Sequence, residues 1–275
     1  MGSYSPTPDP QILRPDIGRM SPPEPVRRVR PSWASAPATY LLVGINCAVY
    51  LAMVANHVSF LSPSPDDLLH HWGANNAGAV LIEGEWWRII TAMFVHVGII
   101  HLATNMWCLW NLGLLAEPLL GSAGVLAAYI LTGAAGNLLS TFVSRLWHYV
   151  PGDPYFGPVG AGASGAVFGL AGLLIVLLKS PRLPVPPLEL KKLRRSVIYF
   201  AALNLVIGLA TEIPGSFVHI DNFAHLGGCA CGFLFAAPLV PRIGSPRELF
   251  TVRRRIAVGS VVLVLTLFGF YISKF

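Results

Sequence analysis

Charge is what this chain has least of. Its 19 Lys and Arg and 13 Asp and Glu make up 12% of 275 residues, about half the ~25% carried by an ordinary soluble domain. Apolar residues reach 54% and mean hydropathy is +0.61, which excludes a water-soluble globule and points to an integral membrane protein. Cysteine is scarce too. Cys47, Cys108, Cys229 and Cys231 all lie in apolar segments, with neither zinc-ligand nor paired-bridge spacing. They read as small buried hydrophobes, and residues two apart on a helix diverge, which disfavours a Cys229–Cys231 bridge. No metal and no organic or nucleotide cofactor is implied. The net charge of +6 does not indicate nucleic acid, because the basic residues fall in blocks between apolar segments, the pattern that sets membrane topology.

Residues 1–38 contain nine prolines, five arginines and no apolar run. They are expected to form a disordered cytoplasmic tail without a cleavable signal peptide. The Met-Gly start has Pro6 where N-myristoylation wants Ser or Thr, so lipidation is discounted. Spans of about 20 apolar residues are read at 39–56, 98–117, 122–144, 164–178, 193–212, 222–240 and 255–273. The stretch 57–97 is too polar and too broken by Pro63, Pro65 and Gly73 to cross, and Trp86-Trp87-Arg88 looks interfacial. The expected organisation is an all-α polytopic membrane protein: a tail (1–38), a six-span core (39–240), then a basic linker and a seventh transmembrane helix (241–275). Alternate sides of these spans hold 16 and 3 of the Lys and Arg residues. That asymmetry places the amino terminus in the cytoplasm and the carboxy terminus outside.

Polar residues inside the spans then acquire depths. A histidine in a membrane segment is costly enough to suggest function by default, and His225 lies three residues into the sixth span. Ser164 opens the fourth, and His101 and Asn105 fall early in the second. All three spans run from outside to inside, so the four residues share the outer part of the membrane. The fourth segment has about 15 helical residues before Lys179 and Pro181, roughly 22 Å against a core of about 30 Å. Gly157-Pro158-Val159-Gly160-Ala161-Gly162 is therefore expected to dip into the membrane, which non-helical backbone tolerates only when buried in protein or lining water. Gly165, Gly169 and Gly172 recur at intervals of four and three on the fourth span, and Gly228 and Gly232 form a small-xxx-small pair on the sixth. Such faces let helix backbones approach closely, and His225 shares the face of Gly228 and Gly232.

A serine needs a base to take its proton as it attacks a carbonyl. His225 is positioned by depth to serve and to return the proton to a leaving amine. No acid is obviously placed as a third member, so a Ser164–His225 dyad is the economical reading. Asp221, one turn before His225, either caps the helix or influences the imidazole, with the cap preferred. The oxyanion donors expected are the Ser164 amide, unpaired at a helix start, and His101 with Asn105, spaced i to i+4 on one face. His96 is either a further donor or an interfacial residue. Activity is expected to fall on acidification as the base becomes charged.

These residues carry a resemblance. Trp87-Arg88 in the first outer loop, His101-Leu-Ala-Thr-Asn105, Gly162-Ala-Ser164-Gly165 and Ala224-His225-Leu-Gly-Gly228 make residues 39–240 similar to the rhomboid intramembrane serine proteases. The resemblance implies a six-helix rhomboid-like bundle, with Ser164 as nucleophile, His225 as general base and His101 with Asn105 as the oxyanion site. It implies transmembrane protein substrates, cut near the outer face, in the lipid bilayer. Arg88 would be structural, and Glu117 would join a buried polar network. Two departures stand out: Phe168 occupies a position where many bacterial relatives have Tyr, and the seventh span adds to the six-span core. A bacterial cytoplasmic membrane is favoured over an organelle. The alternatives are a non-cleaving relative, which typically lacks the Ser or the His present here, and a transporter, whose polar site would lie near the midplane.

Overall fold

The structure, a computed structural model, describes residues 36–180, 183, 186–210, 220–240 and 246–274. All but the last residues of the expected tail, the end of the fifth expected span and the first five residues of the basic linker (241–245) lie outside the described residues. Ten helices occur among the described residues: α1 (Pro37–Ala55), α2 (Pro65–Trp72), α3 (Ala77–Leu81), α4 (Arg88–Thr91), α5 (Ile99–Leu120), α6 (Ser122–Trp147), α7 (Ser164–Leu177), α8 (Pro187–Ala210), α9 (Asn222–Ala236) and α10 (Arg247–Lys274). The protein is an all-helical, multi-pass integral membrane protein. Of these helices α1, α5, α6 and α10 are long and apolar enough to cross a bilayer by themselves, while α7 and α9 are shorter apolar helices.

The boundaries differ from the sequence reading where charge misleads hydropathy. Helix α8 begins six residues before the expected span and α10 eight before. In both, basic side chains ride on the first helical turns, because long cationic side chains reach the interface while their stems stay on the helix. The stretch 57–97 forms no span but is not plain loop either, since it holds α2, α3 and α4. Ser64 caps α2 by accepting from Asp67 N, with Pro65 in the first turn. Asn76 does the same for α3 by accepting from Ala79 N. Each cap satisfies one of the backbone donors that a helix start leaves open.

Helix α7 is the axis of the bundle. Eleven of its 14 residues are buried, as expected of a helix that is apolar all round, and it packs most extensively on α9 and α6. Glycine makes this possible. A Cβ at Gly228 or Gly232 would overlap the carbonyl oxygens of Gly165 or Gly169 on α7, and one at Gly172 would meet Cys229 O. On the α6 side, a Cβ at Gly136 would lie 2.5 Å from Ala224 O and one at Gly227 2.8 Å from Ala135 O. The three helices thus touch backbone to backbone, the close approach that small-residue faces permit.

Buried polar groups hold the rest in register. Helix α1 lacks a side-chain cap of its own. Instead Glu117, near the carboxy-terminal end of α5, accepts from Ala38 N and Thr39 N at 2.9 Å each and from Thr39 Oγ1 at 2.7 Å. This is the buried network expected of Glu117, and it places a carboxylate at the positive end of the α1 dipole. Asn46 on α1 donates to Tyr129 OH at 3.0 Å, and Tyr129 on α6 donates to Met93 O at 3.3 Å. The four cysteines are free thiols, Cys108 and Cys231 buried, Cys47 and Cys229 half-buried.

Candidate active site

The non-helical segment before Ser164 is tied down at each step. Asn75 and Gly160 exchange backbone hydrogen bonds at 2.7 and 2.8 Å, forming an isolated antiparallel bridge. Asn76 donates to Tyr155 O and Gly157 O at 3.1 Å, and Gly162 N donates to Ala92 O at 2.9 Å. Ala163 N makes a long contact of 3.5 Å to His96 Nε2. Irregular backbone at this depth needs such partners. The stretch 57–97 supplies most of them, so it is the scaffold on which the serine turn rests. Gly162 has φ +133°, and a Cβ there would lie 2.5 Å from His101 Cε1. Both the backbone angle and the space therefore demand glycine.

Ser164 is the first residue of α7 and half-buried. Phe168, one turn on, stacks on the His225 imidazole with centroids 4.1 Å apart and planes inclined by 9°. Residues four apart share a helix face, so the imidazole lies over the same face of α7 that carries Ser164. His225 is 4% exposed. Its Nδ1 is sealed from solvent and has no hydrogen-bond partner among the described residues, and the same is true of His101 Nδ1. Ser164 and His225 are not hydrogen-bonded to each other, an arrangement common in resting sites whose contacts tighten on substrate binding.

Asp221 caps α9, accepting from Ala224 N at 2.9 Å, and its other oxygen accepts from Ser140 Oγ. Of the two sequence readings the structure thus displays the cap. His101 stands beside His96, ring centroids 5.4 Å apart. Asn105 donates to His101 O at 2.9 Å, so one N–H of its amide is committed within α5. His96 is fully buried, not interfacial. Its Nδ1 faces Phe94 O at 3.3 Å, which orients Nε2 as the acceptor toward Ala163. His96, in the connection before α5, is held down to about 3 chiefly by burial, with the neighbouring His101 adding to the effect.

Trp86-Trp87-Arg88 is interfacial only in part. Trp87 is half exposed while Arg88 is 4% exposed. The guanidinium pairs with Glu85 at 2.6 Å and donates to Leu69 O at 2.6 Å and Ala74 O at 2.9 Å, so it ties α4 to α2 and to the connection that leads into α3. Sequence reasoning missed the asparagines Asn75, Asn76 and Asn137, and Asn137 donates to Ile89 O at 2.9 Å. Their signal was present: carboxamides flanking or inside apolar stretches need partners.

Among the described residues no cluster of three or more His, Cys, Asp or Glu side chains is arranged to hold a metal ion.

Comparison with known proteins identifies the family. A family model described as Rhomboid domain matches residues 83–242. The chain is 32% identical over 208 residues to rhomboid protease GluP of Bacillus subtilis (strain 168), covering 75% of this chain and 36% of that protein. It is 34% identical over 191 residues to the Arabidopsis thaliana RHOMBOID-like protein 6, mitochondrial, covering 70% and 55%. It is 29% identical over 267 residues to rhomboid protease AarA of Providencia stuartii, covering 90% and 88%. The chain thus spans about a third to a half of the first two relatives and most of the third. With a domain match over more than half its length, and with its signature residues grouped at the amino-terminal ends of α5, α7 and α9, the chain belongs to the rhomboid family.

Proposed function

We propose that this protein is an intramembrane serine endopeptidase that hydrolyses peptide bonds in or near the transmembrane segments of membrane protein substrates. The observation that carries the proposal is the stack of His225 on Phe168, one helical turn from Ser164, at a place where α7 and α9 touch backbone to backbone.

In the reaction, Ser164 Oγ attacks the scissile carbonyl carbon while His225 takes the hydroxyl proton. The carbonyl π electrons move to oxygen, and the tetrahedral oxyanion is met by the Ser164 amide, His101 and Asn105. Collapse expels the amine, which receives the proton from His225, and leaves an acyl-serine ester. Water, deprotonated by His225, then attacks the ester and releases the new carboxylate and free Ser164. Phe168 holds the imidazole plane through stacking, and Asp221 acts by fixing the start of α9. Because a helical peptide hides its carbonyls in its own hydrogen bonds, substrates with helix-breaking residues near the cut are preferred.

The reading extends to placement. The amino terminus and residues 1–38 face the cytoplasm, the site opens toward the outer face of a bacterial cytoplasmic membrane, and 39–240 is the protease core, followed by a linker and seventh helix at 241–275. The asymmetry of Lys and Arg supports this orientation.

The test is cleavage of a fluorogenic transmembrane peptide, in mild detergent, by the purified protein and by Ser164→Ala. Activity confined to the unmodified protein is expected. A serine-directed phosphonate that labels both proteins equally removes Ser164 from the nucleophile role.

A further inference from the structure

Helix α10 is the least integrated of the spanning helices, with 17% of its apolar window buried, yet two of its contacts are specific. At the inner end Arg254 donates to Leu120 O, the last residue of α5, at 2.8 Å. This places a cation on the carbonyl end of the helix that carries His101 and Asn105, where the helix dipole favours it. At the outer end Ile272 is 2% exposed, in a buried cluster with Val80, Ile89, Ala134 and Leu138. Arg254 and Ile272 are separated by 18 residues, five turns and about 27 Å, and so share one face. Positions 254, 258, 261, 265, 268 and 272 form a seam stepping by four and three. Apolar cavities flank the helix, one of 490 Å³ running from Leu131 and Val262 to Trp86 and Ser273 beside the Ile272 cluster, and one of 460 Å³ along Gly227 and Leu234.

The outer contact leads to the site. Ile89 belongs to α4, whose carbonyl Ile89 O is held by Asn137. The next residue after α4, Ala92, receives the N–H of Gly162, and Gly162 sets the turn into Ser164 against the His101 ring. We infer that α10 is a strut in which Ile272 is a positioning residue: by supporting α4 from the lipid side it fixes Ala92 O, and through it the Gly162–Ser164 turn. This inference rests on the proposed role of Ser164 only for its effect on rate, and its mechanical part is independent of that role.

The test uses the full chain in detergent with two readouts: backbone hydrogen exchange at Gly162 and Ala163, and the rate at which a fluorophosphonate labels Ser164. Ile272→Ala is expected to speed exchange at Gly162 and to slow labelling roughly tenfold, short of the ~100-fold that an ångström of misplacement can cost. Ile272→Val, which keeps most of the contact, restores both. Val261→Ala removes a buried contact from the same seam about 16 Å away and leaves both near the unmodified values. Unchanged exchange in Ile272→Ala, or an equal effect from Val261→Ala, overturns the strut. Faster exchange with unchanged labelling overturns the positioning role. Faster exchange in a protein whose unmodified form takes no phosphonate leaves the strut standing and removes the nucleophile reading instead.

Discussion

Adding one methyl group at Gly228 should separate stability from activity. A Cβ there overlaps Gly165 O, a backbone atom in the first turn of a buried helix that cannot rotate away. The bundle must therefore move α9 relative to α7, and overpacking of this kind costs about 1–3 kcal/mol. The moving part carries His225 against Phe168, so a shift near 1 Å is worth up to ~100-fold in rate. Gly228→Ala is expected to unfold a few degrees earlier in a thermal scan in detergent while losing most peptide cleavage and phosphonate labelling. The comparison is Gly44→Ala on α1, where an added Cβ meets nothing within 4 Å. There the substitution gains helix propensity, about 0.5–1 kcal/mol, and activity should be unchanged. Full activity in Gly228→Ala would refute the argument that direct backbone contact sets the Ser164–His225 geometry.

Other expectations follow from single contacts. Glu117→Gln removes the charge from the α1 cap and should lower stability by about 1–3 kcal/mol, seen as a lower melting temperature with cleavage per folded molecule retained. Asp221→Asn keeps a capping oxygen, so it should cost under about 1 kcal/mol and leave the midpoint of the activity–pH profile in place; a shifted midpoint would mean coupling to His225. Phe168→Leu keeps apolar bulk but loses the flat stack and should slow labelling of Ser164, whereas Phe168→Tyr should retain it. His96 stays neutral in the fold to about pH 3 but takes a proton near 6.5 when unfolded. The unfolded state thus binds more protons between those values, so His96 makes stability fall as pH drops from 6.5 toward 3. A His96→Asn protein that melts with the same pH slope over that window would contradict this.

How much of this was legible in the sequence depends on what kind of force placed each element. The long apolar helices and the places of Ser164 and His225 near the starts of α7 and α9 follow from hydropathy and from the shortness of α7, both of which are local. The glycine faces of α7 and α9 were readable because small residues at helical spacing have few other uses. The starts of α8 and α10 were misjudged because a hydropathy window penalises Lys191, Lys192, Arg194 and Arg253 to Arg255 that sit on helical turns. The architecture of 57–97 was not legible, since α2 to α4 are held by long-range bonds from Arg88, Asn75 and Asn76 rather than by periodicity. For the same reason His96 allowed an interfacial reading, although it is fully buried.

The hydrogen-bond pattern itself distinguishes two kinds of buried polar residue. Glu117, Asn46, Asn75, Asn137 and Arg88 all have partners inside the protein, as structural polar groups must when desolvation is costly. Three buried side-chain atoms have none among the described residues: Nδ1 of His101, Nδ1 of His225 and Oδ1 of Asn222. Two belong to the candidate dyad and oxyanion group, and the third is three residues before His225, lining a 300 Å³ cavity beside Asp221 and Gly160. A fold that pairs its structural carboxylate and carboxamides yet leaves these atoms unpaired concentrates its unmet hydrogen-bonding capacity around the amino-terminal ends of α5 and α9. These atoms are sealed from solvent in the resting fold, so a peptide backbone meets that capacity only when the site has opened and its own helical hydrogen bonds have parted. On this argument a substrate helix stiffened by replacing its helix-breaking residues with Ala should bind but resist cutting, with kcat falling more than KM changes; equal kcat for stiff and breakable substrates would sink it.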